Sequence, residues 1–269
     1  MRRRQFLLAL GVSMLAACAS TPPAPPRGHF VHRELELEGR TYRYQVFVPL
    51  ARQQQEGPLP IVLFLHGSGE RGDDGHSQTE SGLGPYLREH ATQFPALVVL
   101  PQVPEDEQWM GVNARMALAT LDAASTEFGA DPARTYLTGM SMGGYGTWEI
   151  ALMVPQRFAA LVPICGALHS ARADEDQLYV SEVAGVRDRY AAVAHRLRQV
   201  PVWMFHGAQD DLVPPADDRR LYKAARLAGA NMRYSEYPDG NHNAWDATYA
   251  DARMWEWMFA QRLKGAPAG

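Results

Sequence analysis

Strands that alternate with helices through most of the chain predict an α/β fold: a mostly parallel sheet covered by helices on both faces, in one domain. Three observations carry this. The apolar runs at residues 61–65 and 97–100 are continuous rather than alternating, the pattern of strands buried on both sides. Residues 114–128 and 217–228 place apolar side chains at helical spacing and stop at Gly129 and Gly229. The length, 269 residues with 46% apolar and 21% charged, is that of one large or two small globular domains.

In order, residues 34–38 and 42–48 alternate and turn at Gly39, which predicts an opening hairpin. Strands are expected at 61–65, 97–100, 135–137, 159–164, 202–205 and 232–237. Helices are expected at 114–128, 144–153, 187–198, 217–228 and, as one long final helix, 247–263. Residues 169–185 are polar and unpatterned and read as a surface excursion. No internal repeat is present, and the folded domain is placed at 29–264. Sheets of this kind put their sites at the carboxyl ends of strands.

Composition narrows the function classes. A formal charge of −4 gives no basic face for nucleic acid. Two Cys exclude a disulfide scaffold. There is no H-E-x-x-H and no Cys–His cluster, so no metal is implied.

The first residues read as an export signal, not as fold. Arg2-Arg3-Arg4 is a positive start, and residues 6–17 are apolar but too short to span a membrane as a mature helix. The stretch ends in Leu15-Ala16-Ala17-Cys18, which resembles a bacterial lipobox. That resemblance implies cleavage after residue 17, lipidation of Cys18 and, since Ala19 follows, the outer membrane. Arg3-Arg4-Gln5-Phe6-Leu7 is also similar to a twin-arginine export motif. Residues 18–28, rich in Pro, then serve as a tether.

The chemistry sits after the strands. The strand at 135–137 leads into Gly139-Met140-Ser141-Met142-Gly143-Gly144 and a helix, a G-x-S-x-G turn in strand–turn–helix context. Such a turn is tight and strained, exposes the Ser hydroxyl and points a helix N-terminus at the reaction centre. A hydroxyl nucleophile needs a base, and the base an orienting acid. Four His follow Ser141. His169 lies in the excursion, His195 inside an amphipathic helix, and His206 ends a strand before Gly207 as a structural turn residue. His242 stands in the Gly-containing loop 238–245 after the last strand, where a mobile imidazole belongs, and is the expected base. Asp210 and Asp211 both follow the strand at 202–205 and are both candidates for the acid.

The segment His206-Gly207-Ala208-Gln209-Asp210-Asp211-Leu212-Val213-Pro214 resembles the H-G-x-x-D-x-x-V-P motif of the α/β-hydrolase superfamily. The resemblance implies the acid at Asp210, which leaves Asp211 to cap the following turn. His66-Gly67-Ser68-Gly69 then corresponds to the oxyanion loop, with the amides of Ser68 and Met142 as its donors and Gly69 as the fallback for the first. Residues 67–72 also match G-x-G-x-x-G, but the polar segment 73–81 does not open an apolar helix, so no dinucleotide is expected. Glu70 and Arg71 are expected to pair and brace this loop. With Pro101-Gln102, Trp109, Trp148, Pro163–Gly166 and His242–Asp246, the chain from about 30 to 263 resembles the phospholipase/carboxylesterase-like branch often labelled predicted peptidases. Feruloyl and polyhydroxybutyrate-depolymerase-like esterases are near relatives of that branch.

That resemblance implies a serine carboxylic-ester hydrolase: Ser141 nucleophile, His242 base, Asp210 acid, no cofactor, and a small-molecule or polymer ester as partner. Trp109, Trp148 and Trp245 are candidates to line the substrate pocket. Two other readings stand beside it. A serine peptidase of prolyl-oligopeptidase type would keep the triad, although no evident Glu pair waits for a peptide amine. A non-catalytic surface binder would keep the fold without the chemistry.

Overall fold

Glu38 and Gly39 both take positive φ, 51° and 79°. They close β1 (His29–Leu37) onto β2 (Arg40–Val48) through the two-residue turn whose twist suits a hairpin. The computed structural model describes residues 26–54, 57–170 and 178–263. The export segment, Cys18, most of the tether and residues 171–177 of the excursion lie outside the described residues.

The hairpin is antiparallel and lies at one edge of an eight-stranded sheet of order β1-β2-β4-β3-β5-β6-β7-β8. The remaining strands, β3 (Leu59–Leu65), β4 (Leu97–Pro101), β5 (Ala130–Met140), β6 (Ala160–Ile164), β7 (Val202–Gly207) and β8 (Met232–Tyr237), pair in parallel. All seven residues of β3 are buried. Alternate side chains feed two cores, Ile61, Leu63 and Leu65 into one and Val62 and Phe64 into the other. The mostly parallel, doubly covered sheet expected from sequence is therefore the fold.

The helices are α1 (Ala51–Gln54), α2 (Leu83–Glu89), α3 (Val112–Phe128), α4 (Met142–Met153), α5 (Arg189–Arg196), α6 (Ala216–Ala228), α7 (Trp245–Ala250) and α8 (Ala252–Phe259). Both α3 and α6 end on glycines in the left-handed conformation, Gly129 and Gly229, as their sequences predict.

Three expectations need correction. The single final helix is two, because Asp251 adopts extended backbone and its carboxylate caps α8 through the Arg253 amide. The strand expected at 135–137 runs from Ala130 to Met140, with a register shift opposite Leu59 and Ile61. The polar excursion is not all surface. Val180 and Val183 are buried, and the Glu149 carboxylate of α4 accepts from the Ser181 amide at 2.7 Å and from its hydroxyl.

Candidate active site

Ser141 stands between the end of β5 and the start of α4 with φ 53° and ψ −120°, backbone that a non-glycine residue rarely adopts. The glycines around it explain how the turn closes. A Cβ on Gly139 would sit 2.2 Å from the Gly143 carbonyl oxygen, and one on Gly143 would sit 2.0 Å from the Leu65 carbonyl oxygen. Only hydrogen fits in those places, so β5 and α4 cross in contact. The Ser141 amide donates to Ile164 O at 2.9 Å, which ties the elbow to the next strand.

The loop after β8 reaches the same place because Gly207 lets it. A Cβ there would lie 2.0 Å from Asn241 O, and Gln209 N donates to Gly240 O at 2.8 Å. His242 is thereby held with Nε2 2.9 Å from Ser141 Oγ and Nδ1 2.7 Å from Asp210 Oδ2. The Asp210 side chain is wholly buried. Its Oδ1 accepts from the amides of Leu212 and Val213 at 3.0 and 2.9 Å. Burial alone would raise its pKa, but bonds from His206, His242 and the Val213 amide hold it well below the usual carboxylate range. Asp210 is thus an ionised acceptor facing His242 Nδ1, which fixes the proton on that nitrogen and leaves Nε2 to accept from the serine. Asp211 is exposed. It does not cap the turn as expected, since Asp210 itself takes those amides.

Ser68 opens a 3₁₀ turn (Ser68–Glu70), and Met142 is the first residue of α4. The N–H of a first residue has no acceptor within its own turn. The loop carrying Ser68 is braced from below. His66, fully buried, lies with Nδ1 2.6 Å from Gly67 O, while its Nε2 accepts from Val103 N at 3.0 Å. Burial lowers its pKa to about 4, so the ring is neutral. Gln102 accepts from Gly75 N at 2.7 Å and donates to Glu70 O and Asp74 Oδ1 at 3.2 and 3.0 Å.

The expected Glu70–Arg71 ion pair is not formed. Arg71 Nε donates to Glu107 O at 2.7 Å. Burial raises the Glu70 carboxyl, and the backbone amides of Gly67 and of Glu70 itself pull it back.

The three Trp divide. Trp245 sets its ring edge-on to His242, with centroids 5.4 Å apart. Trp109 is 1% exposed and donates to His66 O at 3.0 Å, and with Met110, Met142, Tyr145 and Tyr179 it lines a small recess. Trp148 does not reach substrate space: α4 is buried on nearly every side, and this side chain lies wholly in the core. His169 bonds Asp217 at 2.6 Å and His195 is exposed on α5, so neither joins Ser141. Sequence reasoning missed the part His206 takes. It is no mere turn residue, because its Nε2 approaches Asp210 Oδ2 at 3.2 Å. The i,i+4 spacing of those two residues was the available signal.

This fold and this strand-to-helix serine define an α/β-hydrolase. Residues 106–264 match the prolyl oligopeptidase family, and the chain belongs to that family of serine hydrolases. An uncharacterized secreted protein of Arthroderma benhamiae is 24% identical over 205 residues, 71% of this chain. The chain spans only 22% of that relative's length. Among solved structures, a thermostable esterase is 28% identical with a TM-score of 0.68, over 87% of this chain and 63% of that one. A ferulic acid esterase shares the fold at 16% identity and a TM-score of 0.64, over 87% of this chain and 97% of its own.

Proposed function

We propose that this protein is a serine carboxylic-ester hydrolase working through an acyl-enzyme. The observation that carries the reading is the unbroken contact from Asp210 through His242 to Ser141, at 2.7 and 2.9 Å, on a strained elbow. Ser141 Oγ attacks the ester carbonyl while His242 Nε2 takes its proton. The amides of Ser68 and Met142 receive the oxyanion, and the ionised Asp210 stabilises the imidazolium. Collapse expels the alcohol, which takes the proton from His242. A water activated by the same nitrogen then releases the acid. The Trp245 ring next to His242 is a surface offered to the ester.

Membership of the prolyl oligopeptidase family favours one other reading, cleavage of a peptide bond by the same residues. Hydrolysis of p-nitrophenyl acetate set against aminoacyl-anilides separates the two. A fluorophosphonate probe should label Ser141, and Ser141→Ala should leave only background ester hydrolysis. Retention of more than about a tenth of kcat would remove Ser141 from the mechanism.

We infer also that the chain is exported and lipidated at Cys18, supported by the lipobox-like sequence and by a relative described as secreted. Cys18→Ser should move the protein from the membrane to the soluble fraction with specific activity unchanged. Unchanged partition would rule out the anchor.

A further inference from the structure

His206 has no role in the triad, yet it is fully buried and touches the same carboxylate oxygen as the base. Its two ring nitrogens face only acceptors. Nδ1 lies 2.8 Å from Asp218 Oδ2, and Nε2 lies 2.7 Å from Val213 O and 3.2 Å from Asp210 Oδ2. With Asp218 ionised, a neutral imidazole would aim one lone pair at an oxygen, and protons on both nitrogens satisfy every partner. We propose that His206 and Asp218 form a positioning pair for the triad: Asp218 keeps His206 as an imidazolium, and His206 shares Asp210 Oδ2 with His242 and sets how readily His242 takes a proton.

The charges make the consequence definite. Asp210, facing His242 alone, would stabilise its protonated form with its full charge. A cation 3.2 Å from the same oxygen draws on that charge and leaves less of it to stabilise the imidazolium formed when the serine proton is taken. Burial alone would lower the pKa of His206, but bonds to Asp210 and Asp218 raise it to about 10. Burial raises the Asp218 carboxyl, and the hydrogen bond and charge of His206 pull it back towards the ionised form.

The other titratable groups around the pair come from three elements. Cys165, beyond β6, has its thiol pushed up to about 12 by burial and is uncharged. Glu236 of β8 lies opposite His206 in register and is ion-paired with Arg219 of α6. Asp217 of α6 is occupied by the Leu168 amide, His169 and Tyr190. None of them supplies a second cation to Asp210.

The proposal rests on the triad reading, and its test keeps the two apart. The test variant is His206→Gln with Asp218→Asn, which keeps a hydrogen-bonded pair and removes both charges. The acid limb of its kcat/KM profile should move up by about one pH unit. That means roughly a tenfold loss at pH 6 and less than about threefold at pH 9. A purely structural role would depress all pH values alike, and that result, or an acid limb unmoved, overturns the proposal. Nitrogen NMR of the wild-type protein gives a readout independent of activity and of the variant's folding. His206 should show two protonated ring nitrogens from pH 5 to pH 8.5, and a neutral ring at pH 7 overturns the proposal. Failure of the triad reading looks different, as a wild-type Ser141 that no fluorophosphonate labels.

Discussion

Two corners of the sheet are built from the same dipeptide at the carboxyl end of a strand: His66-Gly67 after β3, and His206-Gly207 at the end of β7. Both imidazoles are fully buried, one beneath the loop that carries Ser68 and the other beside Asp210. Their partners are opposite. His66 faces one carbonyl and one amide N–H, so a neutral ring satisfies both. His206 faces two carboxylates and a carbonyl, so only the cation does. Burial sets the cost of charge, but the hydrogen-bond sense of the neighbours decides whether a buried histidine carries it. One corner is therefore a brace for the loop carrying Ser68, and the other, on the proposal above, a positive charge behind Asp210.

The sharpest way to break this comparison is at the acid that the second corner serves. Asp210→Asn should lower kcat by roughly 10⁴, the size seen when an orienting acid is lost, while Asp211→Asn should leave it near wild type. If the two effects are exchanged, the cation at His206 serves nothing. The brace should yield less. His66→Gln loosens the loop carrying Ser68 and should lower kcat by about 10² with the pH profile unshifted, because no charge is removed. A shifted acid limb in that variant would erase the distinction between the corners.

A further effect is on stability, and the two corners oppose each other in pH. His66 titrates near 4 in the fold against 6.5 free, so between those values the unfolded chain binds more protons. Its contribution is full above about 6.5 and is lost as pH falls towards 4, on the order of 3 kcal/mol. His206, raised to about 10, contributes fully below about 6.5, and its stabilisation declines as pH rises through the folded value. Denaturant titrations from pH 4 to 10 check both. His66→Gln should flatten the acid side and His206→Gln the alkaline side.

Much of this was legible in the chain. The elbow announced itself because Gly139 and Gly143 are demanded by contacts that admit no Cβ, and the hairpin because two alternating segments flank Gly39, which takes positive φ freely. Helix α2 was hidden, since Gly84 and Pro85 in its first turn are residues that normally interrupt helices. Gly84 is there because a Cβ would fall 1.9 Å from Thr79 O. The break at Asp251 was masked by apolar spacing that continues through it. Trp148 misled for a related reason: a helix buried on all sides has no outer face for a large aromatic to show. The charge on His206 was beyond reading, because its partner Asp218 lies twelve residues away on another element and only the fold brings them to 2.8 Å.

The course of the opening hairpin also fixes where the chain enters the domain relative to Ser141. His29 pairs with Val48, and β2 runs against β4, so the chain enters at the amino edge of the parallel strands, where Gly28 N binds Ala91 O. Ser141 sits at the opposite edge, and the seven residues of β3 alone span about 23 Å between the two. The anchor proposed at Cys18 would thus join the folded domain at the edge remote from Ser141.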